Sequence, residues 1–133
     1  MSKFYVYILM LQKHKYYVGC TRKTPKARFA EHVSGNSAAV WCKKYPPISI
    51  MKAIKCHNVD QMRFCERTTT FDMMKQYGYE QVRGANFCQL KPINLEHLAY
   101  DIAQIAGDDA ELLIKTLRKN GPMKGAIGSS KYF

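Results

Sequence analysis

The sequence predicts an α+β fold, in which helices flank a small antiparallel sheet of three strands and a helical extension follows. Two runs of β-forming residues, 4–11 and 15–20, are joined by a short polar break. A third run, residues 48–54, carries regularly placed isoleucines and completes the sheet. Helix start signals precede two further segments, residues 25–34 and about 58–77.

The first two strands are predicted to form a β-hairpin over residues 4–20. Tyr7 lies in the first strand and Tyr17 in the second. We therefore expect the two phenols on adjacent strands, close enough to contact the same bound group. Gly19 is expected to end the second strand, at a point where the backbone turns or a bulky group approaches.

The first helix is predicted over residues 25–34. Thr24 is a suitable N-cap residue, and Pro25 suits the first helical position. Arg28 and His32 lie four residues apart and therefore share one face of this helix.

The segment after this helix, residues 37–47, is predicted to be a loop. Its aromatic residues Trp41 and Tyr45 interleave with Lys43 and Lys44, a pattern suited to contact with a phosphate backbone or an unstacked base. The alternative is that Trp41, the only tryptophan, anchors the loop to the core, and both roles can hold together.

The longer helix, about residues 58–77, carries Glu66 on its apolar stripe. A carboxylate in that position is unusual, because its burial costs several kcal/mol unless it is paired or bound to a metal. A salt bridge with Arg63 or Arg67 at the rim is the plainer interpretation.

Two domains are predicted, with a boundary near Lys91-Pro92. Residues 1–93 form the first, in which Arg83-Gly84 suggests a turn or a close approach of the backbone, and Asn86 offers both a donor and an acceptor. Residues 94–133 form a helical extension and a flexible tail, with helices over about 95–106 and 108–119.

The positive charge is concentrated in the predicted first domain. The formal net charge is +11, and the whole excess lies in residues 1–93. Residues 1–55 contain 11 basic side chains against a single acid, Glu31. Such a field attracts a polyanion, and nucleic acid is the leading candidate. The other explanation is that the charge serves solubility alone, although a surface with only that role normally carries both positive and negative side chains.

The cysteine pattern and the hydropathy indicate in which cellular compartment the protein is expected. Five cysteines without a C-x-x-C pair argue against a disulfide framework and against a zinc site. Reduced thiols in an intracellular protein are therefore expected. We expect no membrane partner, because no run reaches the roughly 18 apolar residues of a membrane span and the N-terminus lacks a secretory pattern.

The ordered motifs resemble those of the GIY-YIG nucleases over roughly residues 4–90. The family name describes two triads on neighbouring strands, and Tyr5-Val6-Tyr7 and Tyr17-Val18-Gly19 stand in their places. Tyr5 replaces the glycine of the first triad, and valine replaces isoleucine in both. Arg28 corresponds to the arginine of the family, and His32 to a histidine found in many members. Glu66 corresponds to the metal-binding glutamate, and Asn86 to a polar residue late in the domain.

The resemblance implies a metal-dependent DNA endonuclease that leaves 5′-phosphate and 3′-hydroxyl ends, with structure-specific cutting or nicking both open. Glu66 would hold Mg²⁺ or Mn²⁺ and Arg28 would clamp the scissile phosphate. Tyr17, ahead of Tyr7, would be the general base, and His32 would relay a proton or support its neighbours. A free phenol titrates near ~10, so nearby cations are expected to lower the pKa.

Contacts to duplex or branched DNA are expected from basic, aromatic and amide side chains, namely Arg22, Lys23, Lys26, Trp41, Lys43, Lys44 and Asn86. Two other functions stay open from the sequence. The fold could bind nucleic acid without cutting it. Alternatively, residues 94–119 could recruit a protein partner or mediate self-association.

Overall fold

A computed structural model describes residues 3–35, 38–85, 87–106 and 110–123. Strands and helices follow one another in the order β1 (Phe4–Leu11), β2 (Lys15–Thr21), α1 (Pro25–Ser34), α2 (Val40–Lys44), β3 (Pro47–Cys56), α3 (Val59–Tyr77), β4 (Val82–Gly84), α4 (Leu95–Ala106) and α5 (Ala110–Asn120). A short 3-10 turn, Gln12–His14, joins β1 to β2 and closes the predicted hairpin.

The described strands form one mixed sheet in the order β3-β1-β2-β4. β1 is antiparallel to β2 and to β3, as predicted, but β4 is parallel to β2. The expected sheet of three antiparallel strands is therefore corrected to four strands of mixed direction. The fourth strand includes Arg83-Gly84, so the turn that the sequence suggested there is wrong, whereas the alternative, a close approach of the backbone, is confirmed at Gly84. Three residues are too few for a periodic pattern to reveal a strand.

The register of the sheet leaves part of β2 uncovered. Tyr7 lies opposite Gly19, and Tyr17 lies opposite Leu9. On its other side β2 pairs with β4 only at residues 16–18. Residues 19–21 consequently have no strand partner on the β4 side within the described ranges, and they form what we call the open edge. Gly19 does not end the strand, since β2 continues to Thr21.

Alternation of side chains along the strands gives the sheet two covered faces. On one face, Val6 and Val18 join a core with α3, α4 and α5, to which Leu98 and Leu117 contribute. On the other face, a smaller cluster surrounds Tyr7 and includes α2 and part of α1, with the members Leu9, Leu11, Trp41, Cys42 and Phe29. Both C-terminal helices thus pack on the larger core, and the division at residue 93 stays a prediction.

Local signals fix the helix ends close to the predicted positions. Thr24 accepts a hydrogen bond from the Ala27 amide at 3.1 Å, and Asn58 accepts one from the Gln61 amide at 2.8 Å. The predicted loop at 37–47 is corrected, because residues 40–44 form α2. Asn36, Asn86 and the predicted flexible tail from 124 onward lie outside the described residues. No helix in the described part is long and apolar enough to cross a membrane.

Candidate active site

The two phenols converge on Gly19. The ring centroids of Tyr7 and Tyr17 are 6.3 Å apart. A β-carbon added to Gly19 would lie 2.3 Å from the Tyr7 hydroxyl oxygen and 2.8 Å from Cε2 of Tyr17. The bulky group that approaches Gly19 is therefore the pair of rings, and only a residue without a side chain lets both lie over the strand.

We expect Gly19→Ala to destabilise the fold by about 1–3 kcal/mol, because the new methyl group displaces a buried ring. Movement of the phenols should also lower catalytic activity about tenfold. Urea denaturation and a cleavage assay measure the two effects. Gly35→Ala is the control, since its added carbon meets nothing within 4 Å and only its φ of +85° costs energy. Equal losses of activity in both variants would contradict this account of Gly19.

Tyr7 and His32 form a buried pair. The Tyr7 hydroxyl lies 2.9 Å from Nε2 of His32, while Nδ1 of the ring accepts a hydrogen bond from the Ala39 amide at 3.4 Å. Burial, aided by the charge of Arg28, lowers the pKa of His32 to about 4, so the ring is neutral near pH 7. With Nδ1 acting as an acceptor, we assign the ring proton to Nε2, which donates to the Tyr7 oxygen.

Arg28 links this pair to Glu31. Nη1 of Arg28 donates to Oε1 of Glu31 at 2.9 Å, and the guanidinium also donates to the Tyr7 hydroxyl. The second carboxylate oxygen of Glu31 accepts from Lys23. Hydrogen bonds from Lys23 and Arg28 lower the pKa of Glu31. The sequence analysis did not assign Glu31 a contact, although its spacing of three residues from Arg28 on a helix was a usable signal.

The pKa values of both phenols are raised, contrary to the expectation that nearby cations would lower them. Burial is the largest cause for each, and the charge of Arg28 offsets only part of it at Tyr7. At Tyr17 the charge of Glu66 adds to the rise. The other two expected cations are engaged elsewhere, since Arg22 lies 4.9 Å over the Phe4 ring and Lys23 pairs with Glu31. Both phenols are therefore protonated in the free protein at neutral pH.

Glu66 reaches the open edge from the opposite face of the sheet. The Glu66 carboxylate lies near the Cys20 thiol, close enough for each group to shift the pKa of the other. Burial raises the pKa of Glu66, and the charges of Arg63 and Arg67 offset this only in part. No ion pair joins Glu66 to either arginine in the described structure, so the expected rim salt bridge is absent there. The contact with Cys20 was missed, although alternation along β2 predicts that Cys20 faces α3.

One turn of α3 is fixed against the end of β4. The Thr70 hydroxyl donates to the backbone oxygen of Glu66 at 2.7 Å. A β-carbon on Gly84 would lie 2.7 Å from that hydroxyl oxygen and 2.6 Å from the backbone oxygen of Val18. Gly84 thus permits the close approach of α3 to the sheet, and this approach sets the position of Glu66 beside β2.

The donor set at the open edge suits a hard cation rather than a zinc-like cluster. The described residues contain no group of three His, Cys, Asp or Glu side chains able to hold a metal ion. A single carboxylate is the kind of ligand set that Mg²⁺ uses, since this ion keeps several waters and takes further oxygens from phosphate. Glu66 is half-buried, forms no ion pair in the described part and offers such an oxygen donor.

The predicted nucleic-acid contacts divide into two groups. The basic side chains near α1 and at the end of α2 are exposed, as required, and these are Arg22, Lys23, Lys26, Lys43 and Lys44. Trp41 is only 3% exposed and donates from Nε1 to the Tyr16 oxygen at 3.1 Å. The anchoring role of Trp41 is confirmed, and the expected stacking on a base is corrected because the ring has no exposed face.

Arg83 is a buried residue whose importance the sequence analysis missed. Its side chain is 1% exposed, and its guanidinium carbon lies 4.1 Å from the centre of the Trp41 ring. The guanidinium donates to four backbone oxygens, those of Gln89 at 2.8 Å, Val82 at 3.0 Å, Glu80 at 3.1 Å and Lys91 at 3.1 Å. Arg83 thus ties the segment after β4 to α2, and it pairs directly with Tyr17 in the sheet.

Comparison with protein-family models gives one match. The model described as the GIY-YIG catalytic domain matches residues 3–124, which include both triads, the helix α1 and Glu66. Searches of curated proteins and of solved structures found no match.

Proposed function

The chain belongs to the GIY-YIG family, a family of nucleases, and on this premise we propose that it is a metal-dependent DNA endonuclease. One observation supports the proposal above others. Two phenols, a guanidinium and an imidazole meet on one side of Gly19, while the Glu66 carboxylate, which forms no ion pair with a described residue, lies at the adjacent edge on the other side. Phosphodiester hydrolysis needs an anion clamp, a proton acceptor and charge stabilisation together.

We assign roles to the residues on the α1 side by what each can reach. Arg28 is the phosphate clamp, because a forked guanidinium matches phosphate oxygens and this one is partly exposed. Tyr17, the partly exposed phenol, is the general base in this proposal. Because it is protonated in the free protein, it must first lose its own proton, and a cation held by Glu66 would favour this loss by offsetting the carboxylate charge that raises the pKa of Tyr17. Tyr7 is fully buried and holds Arg28 in place, and the neutral His32 in turn orients Tyr7.

Glu66 is the residue that would hold a divalent metal. GIY-YIG nucleases are generally dependent on divalent metals. When bound, Mg²⁺ or Mn²⁺ would supply Lewis-acid stabilisation of the charge on the reacting phosphate. Burial of the ionised Glu66 carboxylate costs desolvation free energy, which no described salt bridge offsets. A bound cation would offset it, and this supports the assignment.

Glu66→Gln should stabilise the protein near neutral pH. Because burial raises the folded-state pKa above the ordinary 4.5, the folded protein binds this proton more tightly than the unfolded chain. The wild type therefore loses stability as pH rises between the ordinary pKa and the raised one, and this loss persists above it. The Gln variant should melt higher than wild type at pH 7.5 but not below pH 4, and Mg²⁺ should raise the melting temperature of the wild type alone. An equal difference at both pH values would contradict the assignment.

The remaining parts of the proposal follow the charge distribution. DNA contacts are assigned to the exposed basic side chains Arg22, Lys23, Lys26, Lys43 and Lys44, and to Asn86. We propose residues 1–93 as the catalytic domain and residues 94–119 as a surface for a partner or for self-association. An intracellular location is proposed because the cysteines are all free thiols in the described structure.

A cleavage panel tests the proposed function. Purified protein is incubated with linear duplex, flap, junction and RNA substrates, with Mg²⁺, Mn²⁺ or a chelator. We expect cutting of at least one DNA substrate with either metal and none with the chelator. Tight, salt-sensitive binding without cleavage under any condition would instead favour a fold that only binds nucleic acid.

A further inference from the structure

Two arginines continue the stripe by which α3 packs on the sheet. Arg63, Arg67, Thr70 and Met74 are spaced by four, three and four residues and therefore share one helix face. Thr70 and Met74 are completely buried. The same stripe becomes basic toward the start of the helix, although an inward face normally carries apolar side chains.

The sheet ends where the stripe becomes basic. Thr70 packs against Gly84, the last residue of β4, and one turn earlier Glu66 meets Cys20 on β2. The helix therefore runs past the point where β4 stops and reaches the open edge. Arg63 precedes Glu66 by three residues on α3 and therefore lies about one helical turn farther along in the same direction. Arg63 is exposed there, and Arg67 is partly buried.

Neither arginine forms an ion pair within the described residues, although both lie near the Glu66 charge. The Nε atom of Arg67 is buried and has no hydrogen-bond partner there. A buried donor left without an acceptor costs roughly 1–3 kcal/mol, and an acceptor that arrives with a ligand would recover this. A guanidinium is the side chain best matched to phosphate oxygens.

We propose that Arg63 and Arg67 bind a second phosphate of the nucleic-acid substrate, on the α3 side of the open edge. Arg28 contacts Tyr7, whose ring lies over Gly19 on the opposite face of the sheet, so the substrate backbone would cross the edge between two cationic sites. The ligand is a phosphodiester oxyanion next to the scissile one, and the orphaned Nε of Arg67 donates to its oxygen. This inference rests on the proposed function and specifies where the substrate continues.

Binding of a fluorescent duplex by the full chain, with a chelator present to prevent cleavage, tests the inference. Each phosphate contact contributes about one unit to the slope of log Kd against log salt concentration. We expect Arg63→Gln and Arg67→Gln each to weaken binding several-fold and to reduce the slope by about one. Arg67→Lys should keep the slope but bind more weakly, because it retains the charge and loses the Nε donor.

Arg118→Gln is the matched control, since Arg118 is an exposed arginine on α5 in the electrically neutral part of the chain. Wild-type Kd and slope in both α3 variants would overturn the inference. If Arg67→Gln fails to fold by circular dichroism, the exposed Arg63→Gln decides the question. A wild type that binds DNA but never cuts it overturns the proposed function alone, because the slopes still decide whether this phosphate site exists.

Discussion

Replacing Glu66 with alanine should reduce the rate of DNA cleavage by about 10³-fold and leave DNA binding intact or slightly stronger. The carboxylate is the proposed metal ligand at the open edge, and loss of one charge-stabilising group in an active site costs about 10²–10³-fold in rate. Binding is retained because the removed group is an anion beside the proposed phosphate sites. Its loss lowers the repulsion of a polyanion.

Asp72→Ala is the matched control, because Asp72 is an acid on the same helix whose side chain is 70% exposed. It should cut at the wild-type rate. Single-turnover cleavage and anisotropy binding separate the two effects. Cleavage by Glu66→Ala within tenfold of wild type would contradict the assignment of the metal to Glu66.

Replacing Arg83 with alanine should lower the free energy of unfolding by about 3–5 kcal/mol. The change removes the donor to the buried Val82 oxygen and to three part-buried backbone oxygens, and it removes the cation paired with the half-buried Glu80 carboxylate. It also removes the guanidinium that packs on Trp41. Because Arg83 lies beside Tyr17 in the sheet, cleavage activity should fall as well.

Urea denaturation followed by fluorescence measures this effect cleanly, since Trp41 is the only tryptophan and reports on the site itself. Arg83→Lys should recover little stability, because one ammonium group cannot reproduce the fork of hydrogen bonds. Arg118→Ala, at an exposed position on α5, should change stability by less than about 0.5 kcal/mol. A loss below about 1 kcal/mol in Arg83→Ala would show that the buried cation contributes little.

The arrangement of those site residues that lie close together along the chain was predictable from the sequence. Alternation along two strands and a short connection fix which faces Tyr7 and Tyr17 occupy, and helical spacing brings Arg28 and His32 to the same side. These relations depend on local geometry, which a single sequence carries. At Gly19 the sequence left a turn or the approach of a bulky group open, and the structure shows the approach.

The features that the sequence did not predict depend on contacts between distant segments. β4 is three residues long and exists because β2 offers it an edge. Trp41 is withdrawn from solvent by a hydrogen bond to β2 and by the Arg83 guanidinium, two partners remote in sequence. The raised pKa values of the phenols follow from burial, which outweighs the basic composition of the surrounding chain.

The most direct measurement is the fate of a supercoiled plasmid incubated with the purified wild type and Mg²⁺. The account predicts metal-dependent conversion to nicked or linear DNA, with 5′-phosphate and 3′-hydroxyl ends that a ligase can seal. A plasmid that stays supercoiled with every divalent ion tested, at protein concentrations that saturate binding, would contradict it.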